Sequence, residues 1–276
     1  MIGIFREEVY SPNRVEDDAA ILRLTAEALS AEGLDIQLVR PQDLSADATP
    51  DMTFAMCEGS DCLKILKSWE ARGYPVFNSP RAVENCHRYR MLSLIAGTPI
   101  PFPKTLLIRT HEHVNGQFDL SRGVWVKRGD VHSTHPSDVR LIHDRSSLEE
   151  ALQAFRDRLI TQAVLQEHIH GDLVKFYGIP SRKWFRFFYH KPDKVNGHPF
   201  SPEKLQRTAE TAAARLGLQV FGGDVVVTRD RHYIIDINSW PSFAICREEA
   251  ADQIASFLLD RYRKWESHQG LQRRLA

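Results

Sequence analysis

The chain has 276 residues, 42% of them apolar, with 36 Lys+Arg balanced against 36 Asp+Glu. That length can bury a substantial core divided over two or three lobes, and the charge balance argues against nucleic acid or a membrane surface as partner. No apolar run approaches a membrane span, and the N-terminus MIGIFREEVY turns charged too early for a signal peptide, so a cytoplasmic protein is expected. Cys57, Cys62, Cys86 and Cys246 are too few and too scattered for a disulfide framework. Cys57 and Cys62 lack CxxC spacing, which argues for reduced thiols rather than zinc.

In chain order, Ile2–Phe5 reads as a short apolar strand, followed by the polar turn Ser11-Pro12-Asn13. A helix from Arg14 to Ala31 presents Ala19, Ile21, Leu22, Leu24 and Leu29 and stops near Gly33. Strands over Leu34–Val39, Phe54–Cys57 and Val76-Phe77 alternate with a helix beginning at Cys62, which predicts a small parallel or mixed sheet with helices on its faces. Arg6, Ser11, Asn13, Arg14, Glu58 and Ser60 fall just beyond its strand ends, where an open α/β sheet meets its ligand. Asn78-Ser79-Pro80 opens a connecting helix that runs to Gly97 and carries His87, Arg88, Tyr89 and Arg90. The rigid link Pro99–Pro103 leads to strands at Thr105–Ile108 and Val124–Lys127. Leu148–Leu159 is an amphipathic helix, and Ala163–Ile169 is a strand broken at His170-Gly171. Leu173–Ile179 and Trp184–Tyr189 form a hairpin across Pro180-Ser181, and Ser201–Leu216 is helical. A closing helix is expected over Glu248–Trp265, with a frayed Gln/Arg-rich tail.

Phe221–Ser242, reading FGGDVVVTRDRHYIIDINSWPS, alternates apolar and polar residues on both sides of a short turn, the pattern of two antiparallel strands. Asp236 and Asn238 are two apart and leave the same face, with Asp224 opposite on the first strand. Two carboxylates and an amide oxygen are hard ligands that suit Mg²⁺. The alternative is a half-buried hairpin whose polar residues simply face solvent. Lys127 lies inside an apolar strand, where a bare ammonium is costly unless something pairs with it.

Taken together, four features resemble the ATP-grasp superfamily from about Asn78 to Ala255. They are the passage from Asn78 to Thr105, the strand lysine Lys127, the Gln166–Ile169 segment ahead of Gly171–Lys175, and Asp224 with Asp236-x-Asn238. The resemblance implies an α/β protein of ATP-grasp fold. It would have an N-terminal pre-ATP-grasp domain over residues 1–78, a central lobe with the connecting helix over 79–168, and a C-terminal lobe with the metal site over 169–276. ATP and Mg²⁺ are the implied cofactors. Lys127 would contact the α/β phosphates, Gln166, Glu167, His168 and Ile169 would form the adenine hinge, and Glu167 and Asp172 are candidates for the ribose. Lys175 would face the terminal phosphates, where a cation stabilises the transferring phosphoryl group. The sequence departs from the family in three places. The loop 128–133 has one glycine, Pro241-Ser242 stands for Pro-Gly, and His87-Arg88-Tyr89-Arg90 stands for the usual Asp-Lys pair.

For the substrate, one branch resembles the inositol tris/tetrakisphosphate kinases. They share Asp-Ile-Asn at 236–238, a histidine after the phosphate lysine (here His132), and a Lys-Phe pattern at 175–176. Arg14, Arg88, Arg90, Arg128, His132 and Arg186, grouped near the presumed site of a neutral chain, suggest a small anionic substrate. On this reading Lys175, His132 and Arg128 are the catalytic candidates for direct γ-phosphoryl transfer, and the expectation leans to such a kinase. The second branch is the carboxylate–amine ligases of glutathione-synthetase and ribosomal-protein glutamate-ligase type, which work through an acyl phosphate. A third reading is a nucleotide sensor with a decayed site. His132 and His135 form an HxxH off any helix and without a third ligand, which argues against zinc there.

Overall fold

In a computed structural model, which describes residues 1–114, 116–131 and 133–275, three four-stranded sheets follow one another along the chain. The first contains β1 (Ile2–Ile4), β2 (Gln37–Val39), β3 (Thr53–Ala55) and β4 (Val76–Phe77), in the order β2-β1-β3-β4, all parallel. The helices α1 (Val15–Ala31) and α2 (Ser60–Ala71) cover the β1–β2 and β3–β4 crossovers, and residues 40–52, with one short 3-10 turn at Pro41–Asp43, join β2 to β3. Ile4, Leu63, Leu66, Trp69 and Val76 close one core there.

The connecting helix predicted from Asn78 to Gly97 is two helices, α3 (Pro80–Asn85) and α4 (Arg88–Ile95). Ser79 caps the first, accepting from the Ala82 amide at 3.1 Å, with Pro80 at the first helical position. His87 then adopts φ −59°, ψ 131°, which breaks the helix, and the Tyr89 amide bonds the Gly129 carbonyl instead.

The middle sheet joins β5 (Thr105–Arg109), β6 (Val124–Arg128), β7 (Val139–Ile142) and β8 (Gln162–Glu167) in antiparallel order β5-β8-β6-β7. One face packs on α5 (Arg145–Asp157) through Leu148, Leu152 and Phe155, and that helix is capped by Asp144. Strand β7 was not foreseen, because Val139–Ile142 is too short to show a period.

The third sheet is β10-β9-β11-β12, antiparallel throughout, built from β9 (Asp172–Ile179), β10 (Trp184–Tyr189), β11 (Phe221–Val227) and β12 (His232–Ser239). Its back face meets α6 (Pro202–Leu216), whose Leu205, Ala209, Ala212, Ala213 and Leu216 repeat at helical spacing, and which ends at Gly217 with φ +80°. The ladder between β11 and β12 slips once: Asp224 pairs with Asp236, but Val225 pairs with Ile234. Ile235 is the extra residue of a β-bulge.

The final helix α7 (Arg247–Leu275) packs along α1, and the stretch expected to fray continues helical to Leu275. Its Ala251, Ile254, Phe257 and Leu258 share a core with Ile21 and Leu22 of α1 and with Trp240 and Phe243. The first and third sheets are thereby bound into one unit, with the middle sheet carrying a core of its own. Among the described residues no helix is long and apolar enough to cross a membrane.

Candidate functional site

Strands β9, β11 and β12 carry Lys175, Asp224 and Asp236 directly opposite one another, so three charged side chains cross the open face of the sheet in one row. Lys175 Nζ donates to Asp224 Oδ1 at 2.9 Å. Gly223 keeps the adjoining backbone close: a Cβ there would lie 2.3 Å from the Asp236 carbonyl oxygen. The bulge places Ile235 and Asp236 together on this face, while Ile234 and Ile237 are fully buried on the other. Asn238 follows on the same face as Asp236, and its Oδ1 is buried without a hydrogen-bond partner.

Facing this row from the middle sheet is Lys127, buried in β6. Its ammonium donates to Gln166 Oε1 at 2.8 Å and to the Ile235 carbonyl at 3.4 Å, so it spans the gap between two sheets. Burial pushes its pKa down to about 8. Asp236 and Asp224 oppose that shift, and nearby Arg88 adds to it.

Two cavities meet here. The first, about 300 Å³, lies between the middle and third sheets. It takes in Lys127, Gln166, Glu167, His168 and Ile169 together with the apolar Trp125, Val139, Leu173 and Val226. The Glu167 and His168 amides already donate to the Lys104 and Gly123 carbonyls. His168 Nδ1 accepts from Trp125 Nε1 at 3.0 Å, which fixes the imidazole tautomer with its proton on Nε2. The second cavity, about 250 Å³, opens toward the first sheet and α1. Arg14, Lys175, Asn238, Arg6 and Glu58 line it, all singled out from sequence, with Tyr10, Asp18 and Tyr177 added by the fold. Arg88, Asp224 and Asp236 line both. Arg88 donates to the Arg128 and Val131 carbonyls at 3.0 and 3.2 Å, while its Nε is buried and unpartnered.

Four candidates lie elsewhere. Arg128 turns away to grip Asp130 through two bonds of 2.7 and 2.9 Å and Thr134 at 2.7 Å, with Asp138 at 3.4 Å. Asp172 is buried and accepts from the Asn196 side chain at 2.9 Å and the His198 amide at 3.0 Å, so it pins the 190s loop and lines neither cavity. Burial would raise its pKa, but these donors outweigh that and lower it. Arg90 pairs with Glu84 at 3.1 Å, and Arg186 with Glu249 over the Trp184 ring, both outside the two cavities. His132 lies outside the described residues.

The residues missed by sequence reasoning are mostly apolar walls, such as Val139 and Val226, which look like any other core position until two sheets face each other. Arg6 shows how the first sheet reaches the site: it bonds Asp18 at 3.1 Å, the Trp240 carbonyl at 2.8 Å and the Ser239 carbonyl at 3.2 Å, with Glu58 at 3.3 Å.

No family model matches the chain. It is 23% identical over 223 residues to a probable alpha-L-glutamate ligase of Marinobacter nauticus, covering 74% of this chain and 73% of that protein. It is 24% identical over 212 residues to the corresponding protein of Hydrogenovibrio crunogenus, covering 70% of each. Among solved structures, a RimK domain protein ATP-grasp from Sphaerobacter thermophilus superposes with TM-score 0.70 at 20% identity, over 94% of this chain and 99% of that one. D-alanine–D-alanine ligase from Bacillus anthracis complexed with ATP gives 0.71 at 14% identity, over 95% and 98%. The ATP-grasp ligase PsnB complexed with minimal precursor, Mg and ADP gives 0.64 at 16% identity, over 95% and 98%.

Proposed function

Because this chain has the ATP-grasp fold, we propose that it is an ATP-dependent carboxylate–amine ligase. The observation that carries the reading is the pair of cavities sharing Arg88, Asp224 and Asp236: one has apolar walls suited to a nucleotide, the other charged walls suited to small polar substrates. The similarity to probable glutamate ligases favours ligation over phosphorylation of a hydroxyl, and the kinase reading of the sequence draws no support from these comparisons.

In this reading the nucleotide ring lies among Trp125, Leu173, Val226 and Ile235. Lys127 and Arg88 face its phosphates across the cavity. The donor set fits magnesium: the orphaned Asn238 Oδ1 is a buried acceptor lacking a donor, and the carboxylates of Asp236 and Asp224 stand beside it. A magnesium ion held there would neutralise phosphate charge and favour in-line geometry. Lys175 stands in the acceptor cavity, where its ammonium would offset charge on the phosphoryl group as it passes to a substrate carboxylate. The amine then attacks the acyl carbon, forming the amide and releasing phosphate. Arg14 offers a guanidinium for a second carboxylate on a substrate, which makes L-glutamate the first amine to test.

The test is a product assay over paired substrates. ADP and phosphate should appear in equal amounts only when an acid and an amine are both present. Asp236→Asn should lower kcat by about 10²-fold or more, a loss typical of removing a group that stabilises transition-state charge. ADP formed from a hydroxyl acceptor alone, with phosphate retained on it, would sink the proposal.

A further inference from the structure

Outside the lining of both cavities, the loop between β3 and α2 folds back on the end of β1 and brings together Glu7, Cys57 and, from the first turn of α2, Cys62. One carboxylate oxygen of Glu7 and the two sulfurs all lie within 4.8 Å of one another. Neither the five-residue cysteine spacing nor Glu7, fifty residues away in sequence, announces this group; the parallel pairing of β1 with β3 creates it.

The carboxylate is held in place before any ligand arrives. Its Oε2 accepts from the Glu58 amide and its Oε1 from the Gly59 amide, each at 3.0 Å. Gly59 permits this approach, since a Cβ at that position would sit 2.6 Å from Glu7 Oε1. Each oxygen keeps a second lone pair. Backbone donors of this kind orient carboxylate ligands in metal sites. Cys57 is fully buried and Cys62 nearly so, and the Cys62 thiol lies 3.8 Å from the Pro41 carbonyl. An open cavity of about 540 Å³, lined by Glu7, Arg40, Pro41 and Gln42, reaches the carboxylate end of the group, while the two thiols lie behind it.

From this arrangement we propose that Glu7, Cys57 and Cys62 form a binding site for one Zn²⁺ ion, separate from the nucleotide and magnesium region. Thiolate ligands disfavour magnesium and calcium and select zinc among common divalent ions. With Zn–S near 2.3 Å and Zn–O near 2.1 Å, tetrahedral ligand atoms stand roughly 3.5–3.8 Å apart, so closure needs movements of about 1 Å. Each thiol releases its proton to solvent as its sulfur bonds the ion, with no change of oxidation state. Such an ion would tie the 57–62 loop to β1. Glu58, whose amide Glu7 holds and whose side chain lines the second cavity, would be fixed with it.

The experiment uses the full chain, reduced and stripped of metal, titrated with zinc alone against a chromophoric chelator and then studied by zinc X-ray absorption. One zinc per chain is expected, with a dissociation constant on the order of 1 µM or below and two sulfur neighbours at about 2.3 Å. Cys57→Ser and Cys62→Ser should each weaken binding by about 100-fold and Glu7→Gln by about 10-fold, whereas Cys86→Ser should leave it unchanged. If a serine variant fails to fold, the sulfur count in the unaltered chain still decides. No bound zinc, zinc without sulfur neighbours, or a reduced protein whose only chemistry at these thiols is disulfide formation overturns the site. Zinc binding is read without turnover, so the result is independent of the ligase proposal.

Discussion

Lys127 is the residue whose environment makes the sharpest demand. It is buried in an apolar strand, and desolvation lowers its pKa to about 8. A triphosphate calls for the protonated amine, so nucleotide affinity measured without magnesium should weaken as pH rises from 7 to 9, and Lys127→Met should be weak and flat across that range. The stability consequence has the opposite slope. Between about pH 8 and the ordinary value of 10.5 the unfolded chain keeps a proton that the folded chain has lost. Unfolding free energy should therefore climb with pH over that window, and the methionine variant should lack the climb in denaturant titrations. A profile identical in both proteins would refute the assignment. This residue was legible because a charge inside an apolar run is anomalous wherever it occurs. Arg128 and Asp172 line neither cavity, and the sequence gives no sign of this: each has an ordinary context, and the groups that absorb it, Asp130 and Thr134 for one and Asn196 and His198 for the other, become visible only when the loops are placed.

Among the elements, β12 does the most with a small irregularity. Period-two alternation correctly put Asp236 and Asn238 on one face, but alternation alone gives no sign of an extra residue at Ile235. The bulge adds a carbonyl for Lys127 and an apolar wall for the first cavity without disturbing the pairs Asp224–Asp236 and Val225–Ile234. Deleting Ile235 should thus leave a regular ladder and a folded protein. Nucleotide affinity should drop by about 10-fold to 100-fold, the loss corresponding to one buried isoleucine contact of roughly 1.5–3 kcal/mol. Calorimetric titration with a circular-dichroism control separates that outcome from unfolding. The break at His87 is a second local departure with a use. It starts α4 at Arg88, whose guanidinium then reaches both cavities, and a continuous helical pattern across 80–95 gave no warning of it.

At the scale of the whole molecule, a buried polar joint supplements the apolar core that holds the first and third sheets together. Asn78, fully buried, donates to the Val220 carbonyl and to Ser239 Oγ at 2.6 and 2.9 Å, and accepts from the Gln219 and Val220 amides at 2.8 and 3.0 Å. It ties the chain leaving the first sheet to the end of β12 and to the residues that lead into β11. Asn78→Ala would strand several of those groups, and at about 1–3 kcal/mol for each buried unsatisfied group the expected cost is at least about 3 kcal/mol in chemical denaturation. A loss under 1 kcal/mol would show that solvent reaches the joint. The order of strands and helices was largely readable from periodicity, and the polar strand ends of the first sheet include Arg6, Arg14 and Glu58, which line the second cavity. What periodicity does not carry is which edge meets which, because that depends on contacts such as Asn78 with Val220, 142 positions apart. The shared wall of the two cavities has a thermodynamic corollary. On the proposed ligase reading, side chains that answer to two occupants at once couple their equilibria, so whatever factor the nucleotide imposes on acceptor affinity, the acceptor must impose on the nucleotide in return.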